Sequence, residues 1–220
     1  MLDDKKFKEG VFGLFQQRPY RENHYGVSEL LYCPLKAFYC RKSGERSKPN
    51  GKMLHGILIH EKLEDMMKTS MPNESIEYEK ECTHEIVTGS GDKIHIDGRC
   101  DGISGTHIYE LKLTNSNPER YQTPPAYVLQ ANAYCHMLNR TNYALLTVFH
   151  PSLQVKVTEG VVDHLLFPSL VVRCTDLHEA LKTDNSELLE GPRYYWECKF
   201  CGFQGSCKHS VVKKRSKKGN

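Results

Sequence analysis

Gly98-Arg99-Cys100-Asp101-Gly102-Ile103-Ser104-Gly105-Thr106-His107-Ile108-Tyr109-Glu110-Leu111-Lys112 is the stretch whose reading decides the fold. It reads as two strands joined by a tight turn, with Asp101 on the first and Glu110 and Lys112 on the second. Side chains on a strand alternate faces, so Glu110 and Lys112 share one face while Tyr109, Leu111 and Leu113 take the other. A charged pair backing onto an apolar trio on a central-looking strand is unfavourable unless metal and water occupy the charged side.

The turn sets a geometric condition. An even-numbered loop such as Ser104-Gly105 pairs Ile103 with Thr106 and Asp101 with Ile108. Asp101 then shares a face with Glu110, diagonal to it and within reach of one ion. A three-residue loop would put the two carboxylates on opposite faces. A shared site therefore requires the even turn.

Working outward, residues 75–87 and 93–103 alternate like strands around a Gly89-Ser90-Gly91-Asp92 loop, and residues 107–114 complete a meander. Upstream, apolar spacing at Phe7, Val11, Phe12, Leu14 and Phe15 predicts a helix over 3–16. Ser28 is a plausible N-cap for a helix carrying Leu30, Leu31, Leu35, Phe38 and Tyr39, which Pro34 shortens or breaks. Residues 41–50 read as a polar loop. A stronger helix runs from Lys52 to about Met67, with Gly56, His60 and Glu64 on one face. Gly56 there would let another backbone approach closely.

Downstream, Pro124-Pro125 open a helix to about Asn139 that carries Gln130 and Tyr134 four residues apart. Residues 143–150 suit a buried strand and 153–158 an outer one. A helix from about Asp163 to Lys182 follows, with Pro168 early in it. No internal repeat is evident.

The chain has 220 residues, 39% hydrophobic and 26% charged, the balance of an ordinary soluble globular protein. That length suits one large domain or a domain with an appendage. No apolar run approaches the ~20 residues of a membrane span. The first residues lack the apolar core of a signal peptide. No membrane partner is expected, and a cytoplasmic location, prokaryotic or viral, is. The net charge of +3 does not by itself imply nucleic acid. Lys213-Lys214-Arg215-Ser216-Lys217-Lys218 forms a basic tail that reads equally as a phosphate-holding or a simply solvated segment.

Phosphodiester hydrolysis needs an attacking water, neutralised phosphate charge and help for the leaving oxygen, all of which carboxylate-held Mg²⁺ or Mn²⁺ supplies. Asp101 and Glu110 are candidate ligands, with the Leu111 backbone carbonyl a third. His60 would add a nitrogen and favour Mn²⁺. Lys112 is the candidate to orient or deprotonate the water and to stabilise negative charge. Alone, the pattern is common, and a solvated edge strand with a Glu/Lys pair reads the same way. Its company raises it: Gly-x-x-x-His-x-x-x-Glu (56–64), Gly-x-x-Asp (98–101), Glu-x-Lys (110–112) and Gln-x-x-x-Tyr (130–134), in that order.

Nine cysteines, an odd number without a secretory signal, argue against a disulfide framework and for ligation by some of them. Cys198, Cys201 and Cys207 form one local group, with the first two on a tight Cys-x-x-Cys turn. A fourth ligand must come from elsewhere: Cys33 leads, with Cys40 and His209 as rivals. Four thiolates suit zinc or an iron–sulfur cluster, and spacing does not decide between them. Cys40, Cys82, Cys100, Cys135 and Cys174 read as packing residues, with Cys100 facing away from the metal.

In its motif order the chain resembles the RecB-like branch of the PD-(D/E)xK nucleases. The resemblance implies an α/β fold with a restriction-endonuclease-like core, a mixed sheet flanked by helices. It also places Gln130 and Tyr134 beside the site, ordering Lys112 or the DNA backbone. One early and three late cysteines around such a core look like the iron–sulfur nucleases. Among these the chain most resembles the CRISPR-associated exonuclease family, the fourth of the Cas proteins, from about Ser28 to Cys207.

That family implies a 4Fe-4S cluster (2Fe-2S in some members) on Cys33, Cys198, Cys201 and Cys207, besides Mn²⁺ or Mg²⁺. It implies cleavage of single-stranded DNA or of single-stranded overhangs, with 5′→3′ polarity and some endonuclease activity. It also implies prespacer trimming with the CRISPR integrase complex during adaptation. The chain then divides into a helical region (1–50) giving one cluster cysteine, a nuclease core (51–190), and a cysteine cluster with basic tail (191–220). The cluster would staple the early helix to the C-terminal segment, so its loss should loosen the fold. The competing readings are a RecB-like repair or viral nuclease without a CRISPR role and a zinc-stabilised, non-catalytic DNA-binding module. Candidate DNA contacts are Arg41, Lys42, Arg46 and Lys48, with Tyr121 and Tyr127 as stacking aromatics.

Overall fold

Among the described residues six strands form one mixed sheet, and helices cover it. The elements are β1 (His24–Gly26), α1 (Val27–Leu30), α2 (Pro34–Ser43), α3 (Gly51–Ser70), β2 (Glu77–Val87), β3 (Lys93–Ser104) and β4 (His107–Thr114). After them come α4 (Pro125–Met137), β5 (Asn142–Phe149), β6 (Gln154–Val161), α5 (Phe167–Thr183) and α6 (Tyr195–Lys199). The computed structural model describes residues 19–44, 51–70 and 75–210. The helix expected over 3–16, Arg46, Lys48 and the basic tail lie outside the described residues.

The long strand β3 organises the sheet. β2 pairs antiparallel with one edge of it, from Glu77↔Ile103 to Val87↔Lys93. A strand has two edges, so its other partners must share the second. β1 runs parallel there along His95–Asp97, and β4 runs antiparallel along Gly102–Ser104. Between them Gly98–Asp101 is left without a ladder partner on that side among the described residues. This opening in the sheet holds the Gly-x-x-Asp motif. β4 then pairs in parallel with β5, and β5 antiparallel with the edge strand β6. Parallel neighbours need a crossover, which α4 supplies.

The β3–β4 turn keeps the required parity but not the expected register. Ser104 pairs with His107, so the two loop residues are Gly105 and Thr106, not Ser104 and Gly105. The reason is local: Gly105 takes φ +52° at the first loop position, where a side chain would be strained. The shift is two residues, which keeps the parity of the pairing between β3 and β4. The pairing ends at Gly102↔Tyr109, so Asp101 meets β4 through the Leu111 N–H rather than at a ladder position beside Glu110.

A second irregularity falls at the same place. Ile94, Ile96, Cys100 and Ile103 all belong to one core cluster, although strict alternation from Cys100 would send Ile103 outward. The phase of β3 therefore slips at Asp101–Gly102. On β2 the residue opposite, Glu79, falls between the pairs Tyr78↔Gly102 and Lys80↔Cys100 and has φ +53°. A non-glycine in that region in mid-strand is strained, and such strain collects at functional sites.

Pro34 does break the early helix, into α1 and α2, and sits in the first turn of α2 where its missing N–H is harmless. Gly26, not Ser28, caps α1. The expected 41–50 loop begins later, because α2 runs on to Ser43 and ends at Gly44 with φ +69°. No described atom lies within 4 Å of where a Cβ on Gly56 would stand, so the expected close backbone approach is absent among the described residues. Cys40, Cys82, Cys100, Cys135 and Cys174 are all buried, as packing residues should be.

A polar relay ties the far end of the sheet to α5. Tyr25 Oη lies 2.9 Å from His178 Nδ1, His178 Nε2 3.2 Å from Asp92, and Lys182 donates to the same carboxylate at 2.5 Å. Hydrogen bonds from Lys182, Ser90 and His178 hold the Asp92 carboxyl down at about 2. Among the described residues no helix is long and apolar enough to cross a membrane.

Candidate active site

Asp101 sits in the opening between β1 and β4, and its carboxylate takes over the job of the interrupted ladder. Leu111 donates its backbone N–H to Asp101 Oδ2 at 2.6 Å. The same oxygen lies 3.1 Å from His60 Nε2 on α3. His60 Nδ1 in turn stands 3.1 Å from Glu64 Oε1, one helical turn further on. One imidazole thus bridges two carboxylates. Burial works against the charged ring, but the Asp101 hydrogen bond and the charges of Asp101 and Glu64 outweigh it and raise the His60 pKa.

Glu110 is the deepest group in the site, 1% exposed. Lys112 donates to its Oε2 at 2.6 Å, while its Oε1 is buried without a hydrogen-bond partner. Burial, reinforced by the charge of Asp101 and opposed by Lys112, pushes its pKa up to about 7. The Lys112 ammonium is held in its charged form, because Glu110 and Asp101 outweigh the effect of burial. It also lies 5.4 Å from the centre of the Tyr127 ring.

The fourth motif closes the site from α4. Gln130 donates from Nε2 to Tyr134 Oη at 3.2 Å, and the buried Tyr134 hydroxyl is within electrostatic range of Glu110 and Asp101. Burial drives its pKa well above the ordinary tyrosine value. The tyrosine ring reaches this place because Gly98 has no side chain: a Cβ there would stand 2.4 Å from Tyr134 Cε1. The glycine of one motif therefore makes room for the tyrosine of another.

All four motifs meet, and His60, Asp101, Glu110, Lys112, Gln130 and Tyr134 form one constellation. Glu64 is an addition that the sequence reading left out of the site. One of its oxygens lies within 4.8 Å of ligand atoms of His60 and Asp101, a grouping of the kind that holds a metal ion. The i+4 spacing from His60 was the available signal. Leu111 contributes its N–H to Asp101.

The candidate DNA contacts fare differently. Arg41 is engaged in the fold, donating to Glu29 at 2.7 Å and to the His24 carbonyl at 2.6 Å. Lys42 pairs with Asp184 at 2.8 Å, and Tyr121 is buried edge-on against Phe149. Tyr127 stays half-buried beside Lys112.

At the other end of the chain, Cys33, Cys198, Cys201 and Cys207 all line one cavity. Cys33 is the first residue outside α2, held there by the break before Pro34. Cys40 is not among the lining residues, and His209 packs beside Gly191 instead.

No protein-family model matches the chain. It is 25% identical over 193 residues to the CRISPR-associated exonuclease Cas4 of Saccharolobus solfataricus, an alignment covering 84% of this chain and 88% of that one. Its fold is similar to that of SSO0001, with a TM-score of 0.74, 20% identity and coverage of 96% and 99%. An alkaline exonuclease from Laribacter hongkongensis shares the fold with a TM-score of 0.56, 15% identity and coverage of 82% and 95%. With its motifs gathered at the opened edge of β3, this chain is similar in sequence to a CRISPR-associated exonuclease and in fold to an alkaline exonuclease.

Proposed function

We propose that the protein is a metal-dependent DNA exonuclease acting on single strands or single-stranded overhangs, 5′→3′, with endonucleolytic cleavage as a lesser activity. The observation that carries this reading is the meeting of Asp101, Glu110 and Lys112 where β3 loses its ladder partner. The donor set suits a hard divalent cation. Glu110 Oε1 is buried and unpartnered, and His60, Glu64 and Asp101 offer ligand atoms grouped within 4.8 Å. We assign Asp101, Glu110, His60 and the Leu111 carbonyl as ligands of Mn²⁺ or Mg²⁺, with Glu64 behind His60. When bound, the cation supplies Lewis acidity and a more acidic water.

The chain's own groups do the rest. Lys112, partly buried and held charged by Glu110, provides a fixed cation for the phosphate and for developing negative charge. Gln130 and Tyr134 are positioning residues that wall the Glu110–Lys112 pair on the α4 side. The Tyr127 ring, 5.4 Å from the Lys112 ammonium, adds a cation–π contact that helps hold it in place.

We infer that the four cysteines hold an iron–sulfur cluster, 4Fe-4S or 2Fe-2S, that joins region 1–50 to region 191–220 across the 51–190 core. They line one cavity, yet among the described residues no three of the thiols lie within 4.8 Å of one another. Either cluster would take these four thiolates as its protein ligands and tie the two ends of the chain together. The resemblance to the Saccharolobus enzyme supports a place in CRISPR adaptation, trimming prespacers with the integrase complex in the cytoplasm.

Anaerobic purification with iron and sulfide analysis tests the cluster, and a colourless zinc protein would refute it. Lys112→Ala should cut end-labelled single-stranded DNA at least about 100-fold more slowly with Mn²⁺. Cleavage at the parent rate would sink the site assignment. Integrase genes beside this one would support the adaptation role, and their absence would favour a repair or viral nuclease.

A further inference from the structure

Trp196, the chain's one tryptophan, is 49% exposed on α6, between Tyr195 at 56% and Phe200 at 61%. Large aromatics left open side by side mark a binding surface more often than chance. These belong to a continuous line. Tyr194 stacks on Trp196 with ring centres 6.0 Å apart and planes 12° from parallel. Tyr32, in the link between α1 and α2, meets Trp196 edge-on at 5.6 Å. The Tyr32 phenol also lies within electrostatic range of Tyr127, Lys112, Glu197 and Tyr194. Tyr127 already flanks Lys112 at 5.4 Å. The line therefore runs from the reactive lysine, through Tyr127 and Tyr32, to Trp196.

Cations accompany it. Lys199 lies over the Tyr195 ring at 4.9 Å, and Lys36 and Arg193 stand near Glu197. Aromatic faces with interspersed cations are the composition that holds unpaired bases and their phosphates. A duplex hides its base faces, so only an unpaired strand can use such a track. Its continuity with the Lys112 site names the occupant.

We propose that the single-stranded end of the DNA substrate is held by base stacking on Trp196 and guided along Tyr32 and Tyr127 to Lys112. This rests on the DNA-nuclease reading above. It adds a substrate-binding residue on the cysteine-bearing segment, outside all four motifs.

Because Trp196 is alone, its fluorescence reports on this place. The full-length protein, without added divalent metal, is titrated with an oligothymidylate, with an abasic oligonucleotide of equal length and with a blunt duplex. Saturable quenching by the first and little by the other two is expected. Equal quenching by the abasic strand, or none by oligothymidylate that anisotropy shows to be bound, would overturn the proposal and leave α6 as a face for a protein partner.

Trp196→Ala should weaken oligothymidylate binding about 5- to 100-fold, with Trp196→Phe restoring most of it. Parent-like binding by Trp196→Ala would also overturn the proposal. A parent protein that neither binds nor cuts single strands would instead refute the function beneath it.

Discussion

Glu110 shows why the site is built for chemistry rather than for stability. A carboxylate that is 1% exposed, with one oxygen unpartnered, is an unfavourable group to bury, and only its function accounts for it. Gly98 makes the complementary point. Adding one methyl there would drive into the buried Tyr134 ring, 2.4 Å away, so Gly98→Ala should destabilise by about 1–3 kcal/mol. It should also weaken cleavage through displaced Tyr134, while Gly56→Ala, with open space around it, should leave the melting temperature nearly unchanged. Thermal melts and a cleavage assay of both variants check this. At this scale much of the site was legible: strand alternation put Glu110 and Lys112 on one face, and helical spacing aligned His60 with Glu64. The slip at Asp101 was not. It depends on Glu79, a non-glycine, adopting φ +53° on the neighbouring strand.

Among the elements, long periodic segments declared themselves and short or tertiary ones did not. α3, α4 and α5 follow from apolar spacing and proline placement. β1 is three residues with no alternation to read, and it exists because His24 and Arg21 both meet Asp97, at 2.8 and 2.5 Å. The turn register was ambiguous because Gly105 can fill either loop position, and both choices share a parity. The hairpin tip offers a pH test. Asp92 is held at about 2, below its ordinary 3.8, by Lys182, Ser90 and His178. A depressed carboxyl stabilises above its unfolded value and loses that contribution as pH falls through the folded one. The melting-temperature gap between the parent and Asp92→Asn should be full at neutral pH and close as pH falls towards about 2. A gap that widens on acidification would contradict the relay.

Across the whole molecule, the chain brings together groups that are far apart in sequence. Cys33 and Cys198 meet at one cavity and so enclose nearly the entire sheet between them. A cluster joining them restrains a very long loop, so Cys33→Ser should lose visible absorbance and about 2–5 kcal/mol of stability. Denaturant melts compared with those of Cys40→Ser separate ligation from packing, since Cys40 lies buried away from that cavity. The cysteine pattern was legible in the sequence; the aromatic line beside it was not, because Tyr32 and Trp196 are adjacent only after α1, α2 and α6 pack. The central claim is that four separated motifs assemble one metal-dependent nuclease centre around Glu110. The most direct measurement is Mn²⁺-dependent digestion of end-labelled single-stranded DNA by the parent and by Glu110→Gln, with the melting temperature of each taken without metal. The account predicts a loss of about 1,000-fold in rate with no fall in melting temperature. A Glu110→Gln protein that cuts as fast as the parent would contradict it.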